Sequence, residues 1–223
     1  MKIDTHLHTN YSHDCAVVPE KVVATAMQRG LDALIVTDHN QIAGAYAVKA
    51  IAPFPVVLGE EIYTSDGEII GLFIQERIPR GLPPLETATL VREQGGLVCV
   101  PHPFDRVRGS RLAAPAIDAL VGEGLLDIVE VFNSRTTLNA DNERAVAYAH
   151  QHGLPTCAGS DAHSEMEYGR AYIEIAPFDG PAEYLANLRT ATLHMRASPF
   201  VVHFLSKWAK YGKKLGLIPC PAA

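Results

Sequence analysis

Short apolar runs alternate with helix-like segments along most of the chain, and this alternation limits the possible fold more than any other sequence feature. Continuous apolar runs of this kind are typical of strands that helices cover, as in a parallel sheet. Strands are predicted at about residues 3–9, 32–37, 56–62, 68–74, 97–100, 128–132, 156–160 and 171–175. The turn at Asp66-Gly67 makes the third and fourth strands a hairpin-like interruption of an otherwise parallel sheet.

Helical segments fill the intervals between these runs. They are predicted at about residues 19–29, 42–51, 85–94, 114–123, 139–152, 181–190 and 199–215. The first begins with Pro19 and stops at Gly30, residues that favour the start and the end of a helix. No repeat or linker divides the 223 residues, so a single domain over residues 1–223 is predicted, with a C-terminal amphipathic helix at about 199–215.

Polar side chains follow nearly every predicted strand. In the first strand, alternation puts Asp4, His6 and His8 on one face, and Ile3, Thr5 and Leu7 on the other. The remaining polar residues of this kind are His39, Glu61, Glu68, His102, Asp161 and His163. Because active sites of TIM-like barrels collect at the carboxyl ends of their strands, a barrel is predicted with these residues at its mouth. An open doubly wound sheet is the alternative, but the chain lacks its Gly-x-Gly-x-x-Gly turn.

Imidazoles and carboxylates without a thiolate cluster form a nitrogen and oxygen site that suits Zn, Mn or Fe. The candidates outnumber the ligands of one tetrahedral ion, so two or three divalent ions are expected. Paired ions can share a hydroxide and clamp a phosphoryl group during its displacement. Guanidinium groups bind phosphate oxygens with two parallel hydrogen bonds, and the candidates for substrate binding are Arg106, Arg108, Arg111, Arg135 and Arg170.

Five ordered motifs within residues 3 to about 175 resemble the PHP (polymerase and histidinol phosphatase) family. They are Asp4-Thr5-His6-Leu7-His8, Thr37-Asp38-His39, Gly59-Glu60-Glu61-Ile62, Val100-Pro101-His102-Pro103 and Gly159-Ser160-Asp161-Ala162-His163. The resemblance implies a distorted TIM-like (β/α)7 barrel of the α/β class, a di- or trinuclear metal centre and phosphoesterase activity.

The resemblance also implies a role for each motif residue. His6 and His8 match a pair on the first ion, Asp161 completes that ion, and Glu61 bridges to a second ion. His102 matches a ligand of the second ion, and His39 and His163 match ligands of a third. Asp14 falls where the family has an acid or a histidine, with His13 as the adjacent alternative. Asp161, His163 and His39 are the expected catalytic residues, and His163 or His39 is expected to protonate the leaving group.

One position departs from the family pattern. Glu68 stands where many relatives have a histidine. As a carboxylate it can still bind a metal, and Glu68 is predicted to be a ligand. The alternative is a loop acid that leaves the second ion weakly bound.

Other features receive simpler interpretations. Asp38 is predicted to orient His39, and His150, His152, His194 and His203 are interpreted as surface or packing residues away from the strand ends. Cys15, Cys99, Cys157 and Cys220 have no paired spacing, which argues against a disulfide framework. The basic C-terminal helix can contact a membrane or a partner, but packing on the barrel is the preferred interpretation.

The net charge of -6 argues against general nucleic-acid binding. Neither a signal peptide nor an apolar run long enough to span a membrane is recognisable, so a cytoplasmic location is expected. The predicted function is hydrolysis of a small phosphorylated metabolite or nucleotide by a metal-bound hydroxide. The alternatives are a metallohydrolase of C–N bonds and a non-catalytic metal-binding module. The sequence leaves the oligomeric state open.

Overall fold

A computed structural model describes residues 1–219 and 221, and within them the chain forms nine strands and seven helices. Cys220 lies outside the described residues. The strands are β1 Lys2–Leu7, β2 Ala33–Val36, β3 Val56–Thr64, β4 Gly67–Leu72, β5 Leu97–Val100, β6 Ile128–Asn133, β7 Thr156–Gly159, β8 Ala171–Glu174 and β9 Thr192–Met195. The helices are α1 Pro19–Gln28, α2 Ala43–Ile51, α3 Pro84–Glu93, α4 Ala114–Gly122, α5 Asn139–His152, α6 Gly180–Leu188 and α7 Val202–Lys214.

The strands form one curved sheet in the order β7-β6-β5-β4-β3-β2-β1-β8-β9. The pairs β1–β2, β2–β3, β5–β6 and β6–β7 are parallel, whereas β4 is antiparallel to both β3 and β5. Backbone hydrogen bonds from His8 to Ala162 and from Asp161 to His6 bring the end of β7 against β1. The predicted distorted TIM-like (β/α)7 barrel is therefore confirmed as a nearly closed barrel-shaped sheet, with the β3–β4 hairpin as its irregular part.

Two apolar layers surround the barrel strands. The residues of β2 alternate between an inner and an outer layer. Ala33 and Ile35 pack inside the barrel, and Leu34 and Val36 pack under the helices. The same alternation recurs in β5, so the buried strands are apolar on both faces, as expected for a sheet covered by helices.

The first strand does not keep the alternation that its sequence predicts. Ile3 belongs to the inner layer and Leu7 to the outer one, although both were predicted on the same face. The reason is a register shift between Asp4 and Leu7. Asp4 pairs with Leu34 and Leu7 pairs with Val36, so β1 advances by three residues while β2 advances by two. An extra residue of this kind redirects the following side chains, and such bulges are common beside active sites.

The last strand, β9, was not predicted from the sequence. It is four residues long, is partly exposed throughout, and exists through its antiparallel pairing with β8. A short half-exposed segment lacks the apolar run that identifies a strand, so only the pairing partner defines it. None of the helices in the described part of the chain has the length and apolarity needed to span a bilayer.

Candidate functional site

The carboxyl ends of the parallel strands, the start of the antiparallel β4 and the adjoining loops place nine predicted side chains in one group. This nine-residue cluster consists of His6, His8, Asp14, His39, Glu61, Glu68, His102, Asp161 and His163. Each member has a nitrogen or oxygen atom within 3.8 Å of such an atom in another member. All except Asp14 have side chains at most 7% exposed, so the group is a buried polar site at the barrel mouth.

Glu61, near the middle of β3, lies at the centre of the cluster. Its Oε1 is 3.0 Å from His102 Nε2, and its Oε2 is 3.0 Å from His39 Nδ1. The same Oε2 lies 3.5 Å from Nε2 of both His6 and His8. One carboxylate thus contacts four histidines from three segments, an arrangement suited to divalent cations.

His6 and His8, at the carboxyl end of β1, are held in fixed orientations by residues behind them. His6 Nδ1 lies 3.0 Å from Glu130 Oε1, so the ring donates to the carboxylate and presents Nε2 to the cluster. His8 Nδ1 lies 3.1 Å from Ser12 Oγ, which in turn donates to Asp38 Oδ1 over 2.7 Å. Hydrogen bonds of this kind fix the tautomer that leaves Nε2 free to bind a metal.

Glu68 is part of the cluster and is not a loop acid. It lies in β4, its side chain is 2% exposed, and its Oε1 is 3.6 Å from His39 Nδ1. Burial raises the pKa of Glu68, and the neighbouring Glu61 carboxylate raises it further. A divalent cation would offset the cost of burying these two neighbouring carboxylates.

Asp14, rather than His13, points into the cluster. Its Oδ1 is 3.3 Å from His163 Nε2 and 3.6 Å from His39 Nε2. His13 is half exposed, with its Nδ1 3.8 Å from Asp14 Oδ1 and its ring centroid 5.1 Å from that of His39. The carboxylate is thus the better placed of the two alternatives.

Two members of the cluster adopt backbone conformations that side chains other than glycine rarely take. His102 has φ 32° and Asp161 has φ 52°, both in the positive region. Such conformations persist only where the surrounding structure stabilises them, and they concentrate at functional sites. Here the backbone amide of His102 donates to Glu130, and that of Asp161 donates to the carbonyl of His6.

The five candidate arginines separate into two groups. Arg108 donates to Asp161 Oδ2, and Arg135 reaches His163 Nδ1 over 2.7 Å. Both line a cavity of about 200 Å³ beside the cluster. The other guanidinium groups bind elsewhere: Arg106 to Asp141, Arg111 to the carbonyl of Arg108, and Arg170 to the carbonyl of Ala197.

The far wall of that cavity comes from the C-terminal helix. His203, Ser206 and Lys207 of α7 line it opposite Arg108 and Arg135. Arg135 also donates to Ser206 Oγ over 2.7 Å and pairs with Glu167 over 3.2 Å. His203 was interpreted from the sequence as a surface or packing residue, and its position at the cavity could not be inferred because nothing in the sequence shows that α7 reaches the barrel mouth.

Two further sequence interpretations need correction. Asp38 does not hold the His39 ring, because its oxygens accept hydrogen bonds from Thr9 and Ser12. Through Ser12 it fixes His8 instead. Asp4 does not join His6 and His8 either: its carboxylate accepts the backbone amides of Ser160 and Gly169, which ties β1 to the segment after β7.

Sequence reasoning missed Glu130, Ser12 and Glu167. Glu130 stands in the middle of the buried strand β6, and an acid inside an apolar run was the available signal. Glu167 accepts from the backbone amide of His163. Ser12 and Glu167 lie in loops where polar residues are common, so the sequence carried no comparable signal for them.

The donor set of the cluster fits divalent cations. Six buried atoms directed into it make no aligned hydrogen bond among the described residues: Asp14 Oδ1, His39 Nδ1, Glu61 Oε2, Glu68 Oε2, Asp161 Oδ1 and His163 Nε2. Buried polar atoms are normally paired, because an unpaired one loses its solvation without compensation. Burial alone would raise the pKa of Asp161, but the Arg108 guanidinium and His6 hold it well below its usual range. Buried carboxylates that lie beside imidazoles without an aligned hydrogen bond are ligands that Zn, Mn or Fe would satisfy.

Family models match two regions of the chain. A PHP domain model matches residues 4–91, and a PHP-associated model matches residues 139–193. His102 and its arginine-containing loop lie between these regions.

Two uncharacterized proteins of Methanocaldococcus jannaschii are similar in sequence. One is 38% identical over 147 residues, which cover 60% of this chain and 82% of that protein. The other is 34% identical over 200 residues, which cover 86% of this chain and 81% of that protein.

Solved structures share the fold. A two-domain protein of Bacteroides vulgatus containing a predicted PHP-like metal-dependent phosphoesterase aligns with a TM-score of 0.70 at 18% identity, over 88% of this chain and 65% of that one. PsfC from Pseudomonas syringae gives 0.68 at 18% identity, over 96% and 98% of the two chains. An amidohydrolase of Chromobacterium violaceum, with bound sulfate and no metal, gives 0.57 at 18% identity, over 72% and 87%. These likenesses establish the barrel architecture.

Proposed function

The chain belongs to the PHP domain family, and from that premise we propose that it is a metal-dependent phosphoesterase acting on a small phosphorylated metabolite or nucleotide. The observation that carries the proposal is the convergence, beside two arginines, of six buried ligand atoms that make no aligned hydrogen bond among the described residues. A cytoplasmic location and the absence of general nucleic-acid binding stay predictions.

The nine-residue cluster would hold two or three divalent ions. His6, His8 and Asp161 have ligand atoms close enough to share one ion, and the same is true of His39, Glu61 and Glu68. His8, His39 and His163 form a further group of this kind. When bound, the ions would supply positive charge for the phosphoryl oxygens and a water of lowered pKa.

Arg108 and Arg135 are the proposed contacts for the phosphate ester. Each places a guanidinium at the cavity beside the cluster, and each is partly neutralised by an acid, Arg108 by Asp161 and Arg135 by Glu167. The desolvation of the two guanidinium groups is already paid in the folded chain, so an anion that binds there meets donors that are oriented in advance.

His163 and His39 are the proposed proton donors to the leaving group. His163 Nε2 and His39 Nε2 both face Asp14, at the side of the cluster away from Glu61 and His102. Arg135 reaches the other ring nitrogen of His163 and orients that ring. A donor at this side would protonate the departing oxygen while Glu61 and Asp161 stay ionised.

Metal analysis combined with a substrate panel tests the proposal. We expect two or three equivalents of Zn, Mn or Fe per chain, turnover of p-nitrophenyl phosphate, and no turnover of amide substrates. His8→Ala should abolish turnover, whereas His150→Ala, which removes an exposed histidine of α5, should not change it. Turnover of amides alone would assign the site to C–N hydrolysis, and full activity of His8→Ala would disprove the metal assignment.

A further inference from the structure

Helix α7 turns its most apolar row of side chains toward solvent. Phe204, Trp208, Tyr211 and Leu215 follow one another at intervals of four, three and four residues, so they form one stripe along the helix. They are 60%, 63%, 61% and 72% exposed, respectively. A helix that packs on a domain normally buries its apolar stripe, so this orientation is the reverse of the usual one.

The opposite face of α7 holds the helix on the barrel mouth. Val202 and Ala209 are buried there. Lys213 Nζ donates to the carbonyls of Asn10 and Ser12, and Arg135 donates to the carbonyl of Val202. The contacts that fix α7 are therefore made by its smaller and more polar side, and they leave the aromatic stripe free.

Positive charge accompanies this stripe. Lys207, Lys210 and Lys214 form a second row, again spaced by three and four residues, along one side of the aromatic row. Although the whole chain has a net charge of -6, no acidic residue follows Glu183, and six of the 19 lysines and arginines do. The C-terminal part of an acidic protein is thus locally cationic.

We propose that α7 is a docking surface for an anionic lipid membrane. Aromatic and leucine side chains on one face with lysines beside them are the features of helices that lie in the plane of a bilayer interface. Tryptophan and tyrosine prefer the headgroup region, and each nearby lysine is attracted by the negative surface potential of acidic lipids. Because the inner face of α7 contacts the loops that carry the nine-residue cluster, such docking puts the barrel mouth beside the membrane.

A second copy of the chain fits this surface less well. Two antiparallel α7 helices packed along their aromatic stripes would bring the rows formed by Lys207, Lys210 and Lys214 close to each other, and in a parallel pair neither row would meet an acidic residue, because α7 has none. Like charges at the edge of a helix pair destabilise the pair. An anionic lipid surface neutralises the same charges, and this complementarity favours it as the occupant.

Trp208 is the single tryptophan of the chain, so tryptophan fluorescence of the wild-type protein reports on the surroundings of α7. We expect its emission to shift to shorter wavelength when the full chain is mixed with phosphatidylglycerol–phosphatidylcholine vesicles, and not with pure phosphatidylcholine vesicles. Brominated lipids should quench it. The same protein should co-sediment with the anionic vesicles, and added salt should release it.

Two double variants test the two rows separately. Phe204→Ser with Leu215→Ser should abolish co-sedimentation while retaining Trp208. Lys210→Gln with Lys214→Gln should weaken partitioning about 30-fold, since each lysine contributes about one kcal/mol near an anionic surface. As the matched control, Met27→Ser with Val146→Ser removes exposed apolar residues from α1 and α5 and should leave binding unchanged.

Three results would overturn the proposal. Absence of binding to the anionic vesicles is the first, and unchanged binding of the Phe204→Ser, Leu215→Ser variant is the second. The third is a dimer in light scattering that this variant dissociates, which would assign the stripe to a second copy. Metal content and phosphatase activity in solution are independent of all three, so failure of the docking proposal and failure of the proposed function remain distinguishable.

Discussion

Histidine orientation depends on residues that never reach the cluster centre. His6 is held by Glu130 and His8 by Ser12. In each case Nδ1 makes the supporting contact and Nε2 faces the other ligands. Such support preorganises a metal site, because the rings need no reorientation when an ion binds.

Glu130 gives the most direct test of this support. It accepts from His6, from the backbone amide of His102 and from Asn133. We expect Glu130→Gln to lower metal affinity about 10- to 100-fold, because the substituted amide keeps the shape but loses the charge that makes His6 a stronger donor. Calorimetric metal titration measures this, with Glu86→Gln on the exposed side of α3 as control. Equal affinities for both variants would show that Glu130 has only a packing role.

Glu68 is predicted to be a metal ligand because its carboxylate lies against His39 and His102. Glu68→Ala should therefore lower the metal bound per chain, measured by elemental analysis after gel filtration. Glu76→Ala, in the exposed loop that follows β4, is the matched control and should keep the full complement. An unchanged metal content in Glu68→Ala would exclude the residue as a ligand.

At the level of elements, the site forms where the end of β7 lies close against β1 and β6. A Cβ atom at Gly159 would lie 2.4 Å from His6 Cβ and 2.5 Å from Glu130 Oε1. Glycine is required there because these strands come closer than any side chain allows. The bulge in β1 acts together with this contact, since it turns His6 and His8 to the side where the strands meet.

Gly159→Ala should therefore affect stability and the site at once. We expect about 1–3 kcal/mol lower free energy of unfolding, from the overpacking, together with weaker metal binding as His6 is displaced. Urea unfolding measures the first effect. Gly122→Ala in α4 is the control, because nothing lies within 4 Å of its added Cβ, and it should not destabilise the protein. If the two variants are equally stable, the strands have room to separate.

For the molecule as a whole, the buried and unpaired ligand atoms couple metal binding to folding. An ion that binds the folded chain alone stabilises it by about 2.7 kcal/mol when its free concentration is 100 times the dissociation constant. In a chain of this size we expect the unfolding temperature to rise by about 5–10 °C. Calorimetry with and without a chelator measures the rise, and His8→Ala should lose most of it. A rise of equal size in that variant would place the stabilising ions elsewhere.

The positions of helices and barrel strands were predictable from the sequence, because local periodicity determines them. The predicted second helix, 42–51, differs from α2 by one residue, and the predicted fifth, 139–152, has the bounds of α5. Most residues of the nine-residue cluster were predictable for a related reason. Once strands run parallel into a barrel, whatever follows their carboxyl ends meets at one mouth.

The tertiary structure alone decided the features that depend on long-range contacts. The bulge that puts Ile3 and Leu7 on different faces is defined by the pairing of β1 with β2. Ser12 donates to Asp38 because the loop after β1 folds back over β2. Arg108 and Arg135 reach the cluster while Arg170 does not, although all three follow site motifs in the sequence. The outward aromatic stripe of α7 is of the same kind: periodicity shows that a helix has an apolar face, but only packing decides whether that face is buried.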